Sequence, residues 1–122
     1  MPPALLDEVE KGAEGGIADA PVLVVICGDA SLSVEATLPS SVFPAAQNLL
    51  LSANALGLGS AMTTLATLAG ERLSTLLDLP PSVQPMAVTP LGWPARPLGA
   101  PRRLPVRTRA HLDTFGQPFL DG

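Results

Sequence analysis

Residues 41–56, SVFPAAQNLLLSANAL, carry no charged side chain. Their composition predicts a helix from about Ser41 to Leu56, and its only polar members beyond the first turn are Gln47, Asn48, Ser52 and Asn54. Ser40 or Ser41 can cap it. Pro44 is expected in the first turn, where a missing N–H costs little. Gly57 is placed to end the helix in the left-handed conformation, with Leu58 packing back. A helix without a charged face is expected to be buried. In a chain of 122 residues that burial requires either more protein around it or a partner chain.

The remaining segments read less sharply. Residues 3–15 suit a short amphipathic helix with Leu5, Leu6 and Val9 on one face, stopped by Gly12 or Gly15. Residues 20–29, APVLVVICGD, form a continuous apolar run rich in Val, as expected of a strand buried on both faces. Residues 28–40 read as a loop. Ser60–Leu65 reads as a short extended piece, and 66–70 as a turn. ERLSTLLDLP predicts a second helix with Leu73, Leu76 and Leu77 on one side, ended by Pro80-Pro81. A second strand is expected over about Met86–Leu91, with Pro90 assigning it to a sheet edge or marking a strand end. The Pro-rich stretch from Pro94 to Pro105 reads as an extended arm, followed by a tail whose Phe115 and Phe119 need somewhere to dock.

Charged residues are 15% of the chain, against about 25% in typical domains, which argues against a disordered acidic tail or a coiled coil. One Cys rules out an internal disulfide framework or a Cys-rich zinc site. No apolar run approaches the ~18 residues of a membrane-spanning helix, and the acidic start lacks the features of a signal peptide. The expected location is therefore the cytoplasm. The formal charge of −4 is uneven: residues 1–40 hold seven acids against Lys11, and residues 96–122 hold five Arg against Asp113 and Asp121. An acidic chain is a poor nucleic-acid binder, but the local Arg cluster is a candidate for one small anion.

The stretches APVLVVICGD, SVFPAAQNLLLSANALGLGSAMTTL, LLDLPPSVQPMAVTPLGWPARP and PRRLPV follow one another over about residues 20–108. In this order and spacing the chain resembles the C-terminal part of the FMN-dependent nitroreductase family. The resemblance implies an α+β, nitroreductase-like fold in part, with helices on a central sheet, a long buried central helix and an extended C-terminal arm. It divides the chain into an acidic segment 1–19, a partial nitroreductase-like domain 20–108 and a tail 109–122. Family members open with an Arg-Arg-Ser-type motif that holds the FMN phosphate. Nothing upstream of Ala20 matches it, so the chain looks like the C-terminal half to two-thirds of a member.

The family's pattern further implies FMN at the interface of a homodimer, and ping-pong transfer of a hydride from NAD(P)H through flavin N5. The acceptor would be a nitroaromatic, a quinone or a similar small molecule. Residues Ala61, Met62, Thr63, Thr64 and Leu65 would pass under the flavin ring, with backbone donors to N5 and O4 near Thr64 and Leu65. Arg102 and Arg103 would reach the phosphate, because a basic residue stands just before Leu-Pro in the family and Arg103 occupies that position. The plainer readings are a short strand using Thr for its β propensity and a solvated basic arm, to which Arg107 and Arg109 were also assigned. The alternative for the whole chain is a truncated, non-catalytic relative that dimerises or pairs with a longer paralogue and binds no flavin. Lone His111 has no ligand-spaced partner, Cys27 reads as a small core residue, and Trp93 as packing for its turn, with an aromatic near the flavin edge as the alternative.

Overall fold

A computed structural model describes residues 17–64, 70–97 and 99–119. The amphipathic helix expected over residues 3–15 lies outside them. Strand β1 (Val22–Asp29) leads through a 3-10 turn at Glu35–Thr37 into helix α1 (Leu38–Ala55). Strand β2 (Gly59–Ser60), helix α2 (Gly70–Leu76) and strand β3 (Val83–Gly92) follow. The described strands form one sheet in the order β1-β3-β2, with both pairings antiparallel.

The expected edge strand is therefore the central one. β3 contains two prolines, and each sits where a ladder donor is dispensable. Pro85 lies at a bulge: the register passes from Ile26↔Ala87 to Cys27↔Pro85, leaving Met86 as the extra residue. Pro90 pairs with Leu23 of β1 on one side and on the other faces Ala61, just past the end of β2. β1 is correspondingly an outer strand and not buried on both faces; Val22 and Leu23 are about half exposed.

Helix α1 packs across this sheet. Gly28 is buried, and a Cβ placed on it would lie 2.8 Å from Met86 Sδ, 3.3 Å from Leu38 Cδ1 and 3.3 Å from Val42 Cγ2. The helix thus approaches the strand closely because Gly28 presents only backbone. Leu38, Val42, Ala46 and Ala53 are the buried members of α1, the spacing of a single stripe. The helix starts three residues earlier than the composition suggested. Pro39 is in the first turn, and Pro44 lies inside the helix on its exposed side. Within this chain the helix buries one stripe and leaves its other side open, with Leu51 59% exposed. The most buried element is β3, with Pro85, Ala87, Val88 and Thr89 all buried.

The end of α1 matches the sequence reading. Gly57 has φ +79°, its N–H donates to Asn54 O at 3.0 Å, and Leu58 N–H donates to Ala53 O at 2.9 Å. These are the two hydrogen bonds of a Schellman closure. Helix α2 ends the same way, with Leu79 N–H donating to Ser74 O and Asp78 N–H to Thr75 O. Here the left-handed position is Asp78, at φ +53°. This closure stops the helix before the prolines and leaves Leu76 79% exposed and Leu77 42% exposed, so the expected leucine face does not form. A left-handed non-glycine residue costs roughly 1–2 kcal/mol, less for Asp. Asp78→Gly is expected to stabilise the fold by about 0.5–1 kcal/mol in a urea titration; a loss of stability would mean that the Asp78 side chain itself supports the turn.

Two polar details of the sheet give further expectations. Cross-strand pairing places Gly28, Ile26 and Val24 on the α1 face together with Ala87 and Thr89. Thr89 is fully buried and its Oγ1 has no hydrogen-bond partner. Thr89→Val removes that hydroxyl at nearly constant shape. Because an unsatisfied buried hydroxyl costs about 1–3 kcal/mol, the variant is expected to raise the thermal midpoint. A lower midpoint would show that the hydroxyl is satisfied in the folded protein. At the end of β1, Asp29 Oδ1 accepts from Ser31 Oγ at 2.7 Å and from Ser31 N–H at 2.8 Å. These bonds, with a further one from the Ser82 hydroxyl, hold its carboxyl below the usual carboxylate range. The stability from this turn is present above the unfolded-state pKa and is lost as pH falls through the lower folded value. Asp29→Asn is expected to flatten that part of the acid-unfolding curve.

Candidate functional site

The segment leaving α1 is fixed by one register. Gly59 pairs with Gly92, Ser60 with Leu91 and Thr63 with Val88. All three pairings keep the same alignment, which sets Ala61 opposite Pro90. Pro90 has no N–H to donate, so the ladder breaks there and resumes at Thr63. Thr63 N–H donates to Val88 O at 2.9 Å, and Val88 N–H donates to Thr63 O at 2.8 Å. The Thr63 amide is therefore committed to the sheet. Alternation turns the next amide, that of Thr64, away from β3. Ala61, Met62 and Thr64 are exposed; Leu65 lies outside the described residues.

A cleft of about 320 Å³ lies along this strand, lined by Pro21, Gly59, Ser60, Ala61, Gly92 and Trp93 among others. Glycines form part of its wall: a Cβ on Gly59 would lie 3.4 Å from Gly92 O, and one on Gly92 would lie 3.0 Å from Pro21 Cδ. Trp93 is 78% exposed and borders the cleft more than it packs the turn.

The arm forms a second cleft, of about 540 Å³, lined by Arg102, Arg103, Leu104, Val106, Arg109 and Ala110. The two clefts share no lining residue among the described residues. Arg109, read from the sequence as part of a solvated basic arm, also lines this cleft. A 3-10 turn at Val106–Thr108 carries it back beside Arg102 and Arg103, while Arg107 does not line the cleft. The signal was local: Thr108 can cap the turn, and its N–H and Oγ1 both donate to Pro105 O, at 3.0 and 2.7 Å.

The other singled-out residues are structural. His111 Nδ1 accepts from Gly116 N–H at 3.3 Å, and its ring lies 4.5 Å from that of Phe115. This closes a small loop in the tail and leaves Phe115 92% exposed. The docking expected for that ring does not occur within the described chain. Among the described residues no cluster of potential metal ligands exists, and no helix is long and apolar enough to cross a membrane. Cys27 is half-buried, and burial pushes its thiol up.

Residues 2–93 match the model of the Nitroreductase family. The chain belongs to that family, and its α+β architecture is the nitroreductase fold in part. It is 37% identical over 102 residues to a Methanothermobacter thermautotrophicus protein provisionally named NADH dehydrogenase/NAD(P)H nitroreductase, covering 81% of this chain and 53% of that protein. A crystal structure of a Parabacteroides distasonis protein with the same provisional name superposes with a TM-score of 0.71 at 27% identity, over 80% of this chain and 58% of that one. B. megaterium NfrA1 superposes with a TM-score of 0.67 at 26% identity, over 88% of this chain and 54% of that one. The chain thus spans about half the length of these relatives. The family match ends at Trp93, so the arginine arm lies beyond it.

Proposed function

We propose that these residues are part of an FMN-dependent NAD(P)H oxidoreductase that reduces a nitroaromatic, a quinone or a similar small acceptor. The observation that carries the reading is the Thr63–Val88 pair, which fixes a short strand beside an open, glycine-walled cleft. Of the expected ring segment, Ala61 lines that cleft and would lie beside a bound ring. Gly92 and Gly59 let Pro21 and Pro94 pack closely along that wall, and Trp93 offers an aromatic border. Arg102 and Arg103 would hold the phosphate, since guanidinium groups match a phosphate bidentately. The residues present therefore suit FMN: a cleft bordered by Ala61 and Trp93 for the ring and guanidinium groups for the phosphate. Bound FMN would supply the electron-carrying chemistry, and the residues named here would bind and orient it.

In this reading the complete site needs both the ring cleft and the arm cleft, which share no lining residue among the described residues. A homodimer, in which one subunit's arm serves the other's ring cleft, meets that requirement. The test is titration of the 122-residue chain with FMN, followed by flavin fluorescence, with NADH and NADPH oxidation measured in the presence of a quinone. Saturable quenching together with acceptor-dependent oxidation is expected. Absence of quenching at millimolar FMN would overturn the assignment for these residues.

A second reading is a nitroreductase-like chain that pairs with a copy of itself or a longer relative and binds no flavin. It is favoured by the uncharged exposed face of α1, which includes Leu51. A stable dimer by sedimentation with no flavin response would support this second reading over the first.

A further inference from the structure

We propose that the cleft lined by Asp19 and Trp93 selects a flat organic cation, a pyridinium-type ring, over neutral or anionic rings of the same size. Three features of one sign meet there. The first is a carboxylate. Among the described residues the wall holds one charged side chain, Asp19, and no lysine or arginine. Arg96, three residues beyond Trp93, does not line it. The second is the indole of Trp93, 78% exposed. Its negative π face is open to a ligand, and a cation within about 6 Å of such a ring is attracted to it. The third is the C-terminal end of α1. A Cβ on Gly57 would lie 3.8 Å from Trp93 Cζ3, so the indole stands beside the residue that closes this helix. α1 is 18 residues long and has no basic residue in its last turn. No side chain of that turn offsets the negative end of the helix dipole.

Both sides of the cleft are held by close packing. A Cβ on Gly92 would lie 3.0 Å from Pro21 Cδ, so Pro21 seats directly on the end of β3. Ala20 N–H donates to Ile17 O at 3.3 Å, and this turn sets Asp19 at the edge of the cleft. On the other side, a Cβ on Gly59 would lie 3.4 Å from Pro94 Cβ, which anchors Trp93 through its neighbour. A cleft of about 320 Å³ has room for a six-membered ring, and Ser60 is the other polar side chain in its wall. An anionic ring would meet the carboxylate, the π face and the helix end with the same unfavourable sign. A cationic ring meets all three favourably. Such a ring narrows the acceptor class of the reading above. Its role rests on that reading, while the charge selection rests on the cleft alone.

The experiment titrates the 122-residue chain with nicotinamide methylated on its ring nitrogen, with nicotinamide and with nicotinate. These share one ring and present a cation, a neutral molecule and an anion. Binding is followed by two-dimensional NMR at the Ser60 and Ala61 amides and at the indole N–H of Trp93, the single tryptophan of the chain. FMN is titrated separately by flavin fluorescence.

Saturable shifts at these groups are expected, with nicotinate the weakest ligand. The cation should bind about tenfold more tightly than nicotinamide, the combined worth of an exposed carboxylate pair and a cation–π contact. Asp19→Asn should remove roughly two- to fivefold of that preference and leave nicotinamide unchanged. Trp93→Leu should weaken the cation more than the neutral ring. Asp19 and Trp93 are both exposed, so these variants keep the fold. Glu35→Gln, the same charge change in the exposed turn before α1, should have no effect. Equal losses for Asp19→Asn and Glu35→Gln would overturn the proposal in favour of net charge. Equal affinity for the three rings would overturn it too, and saturable FMN quenching by the same preparation would then leave the flavin reading intact. Charge-ordered binding that depends on Asp19, without any FMN response, would support the cation cleft and remove the flavin reading.

Discussion

Gly28→Val is expected to destabilise the fold by about 3 kcal/mol, toward the upper end of what overpacking a core costs. The added Cβ alone would meet Met86 Sδ at 2.8 Å, and Leu38 and Val42 at 3.3 Å each. The thioether can move, because Met is unbranched and adaptable. Leu38 and Val42 cannot move as easily, since both lie on the buried stripe of α1 and retreat only if the helix lifts from the sheet. Gly28→Ala should therefore be milder, at about 1 kcal/mol, with Met86 absorbing the contact. The two γ-methyls of Val reach past Met86 toward the helix. Urea denaturation of both variants and of the Gly28→Ala, Met86→Ala double variant checks the account. A smaller penalty for Gly28→Ala in the Met86→Ala background is expected. If Gly28→Val were within about 0.5 kcal/mol of the parent protein, the value typical of an inconsequential surface change, α1 could not pack on β1 as described.

This contact also shows where the sequence was informative. The apolar run ending in Cys27-Gly28 identified β1, and Gly57 identified the end of α1. Both are local signals: β-branched composition in one case, a left-handed residue after a helix-forming run in the other. What could not be read was the depth of each strand in the sheet. Pro85 and Pro90 argue for an edge when β3 is considered alone. They are tolerated in its centre because Met86 forms a bulge beside one and β2 ends opposite the other. Those compensations come from other strands and leave no mark within residues 83–92. The candidate site divides in the same way. The segment Ala61–Thr64 was visible from its place after GLGS, but the commitment of the Thr63 amide to Val88 depends on the sheet register. Arg102 and Arg103 were conspicuous as a pair before Leu-Pro. Arg109 was assigned with Arg107 because spacing along an irregular arm carries no period until the 3-10 turn supplies one.

The start of α1 is the sharpest disagreement, and it leads to the second large effect. Composition placed the cap at Ser40 or Ser41, since Ser is a favoured N-cap and the stretch ending in ATLPS at Ser40 reads as a loop. In the structure the N-cap is Thr37, which makes no side-chain capping bond. Its Oγ1 instead donates to Val34 O at 2.9 Å and stabilises the preceding 3-10 turn. Pro39 is tolerated because the first-turn N–H groups have no intrahelical acceptor in any case. Leu38 thus becomes the first helical residue, buried to 4% relative exposure beside the open backbone of Gly28. Truncating a buried Leu to Ala costs about 2–5 kcal/mol. Leu38→Ala is expected near the middle of that range, because the void would open between α1 and β1. Ser41 is exposed and lies inside the helix, where Ala is the better helix former. Ser41→Ala should therefore be neutral or slightly stabilising, whereas removal of a real cap costs about 0.5–2 kcal/mol. Chemical denaturation of the two variants separates the accounts. A large loss for Ser41→Ala with little loss for Leu38→Ala would restore the later helix start and remove Leu38 from the core.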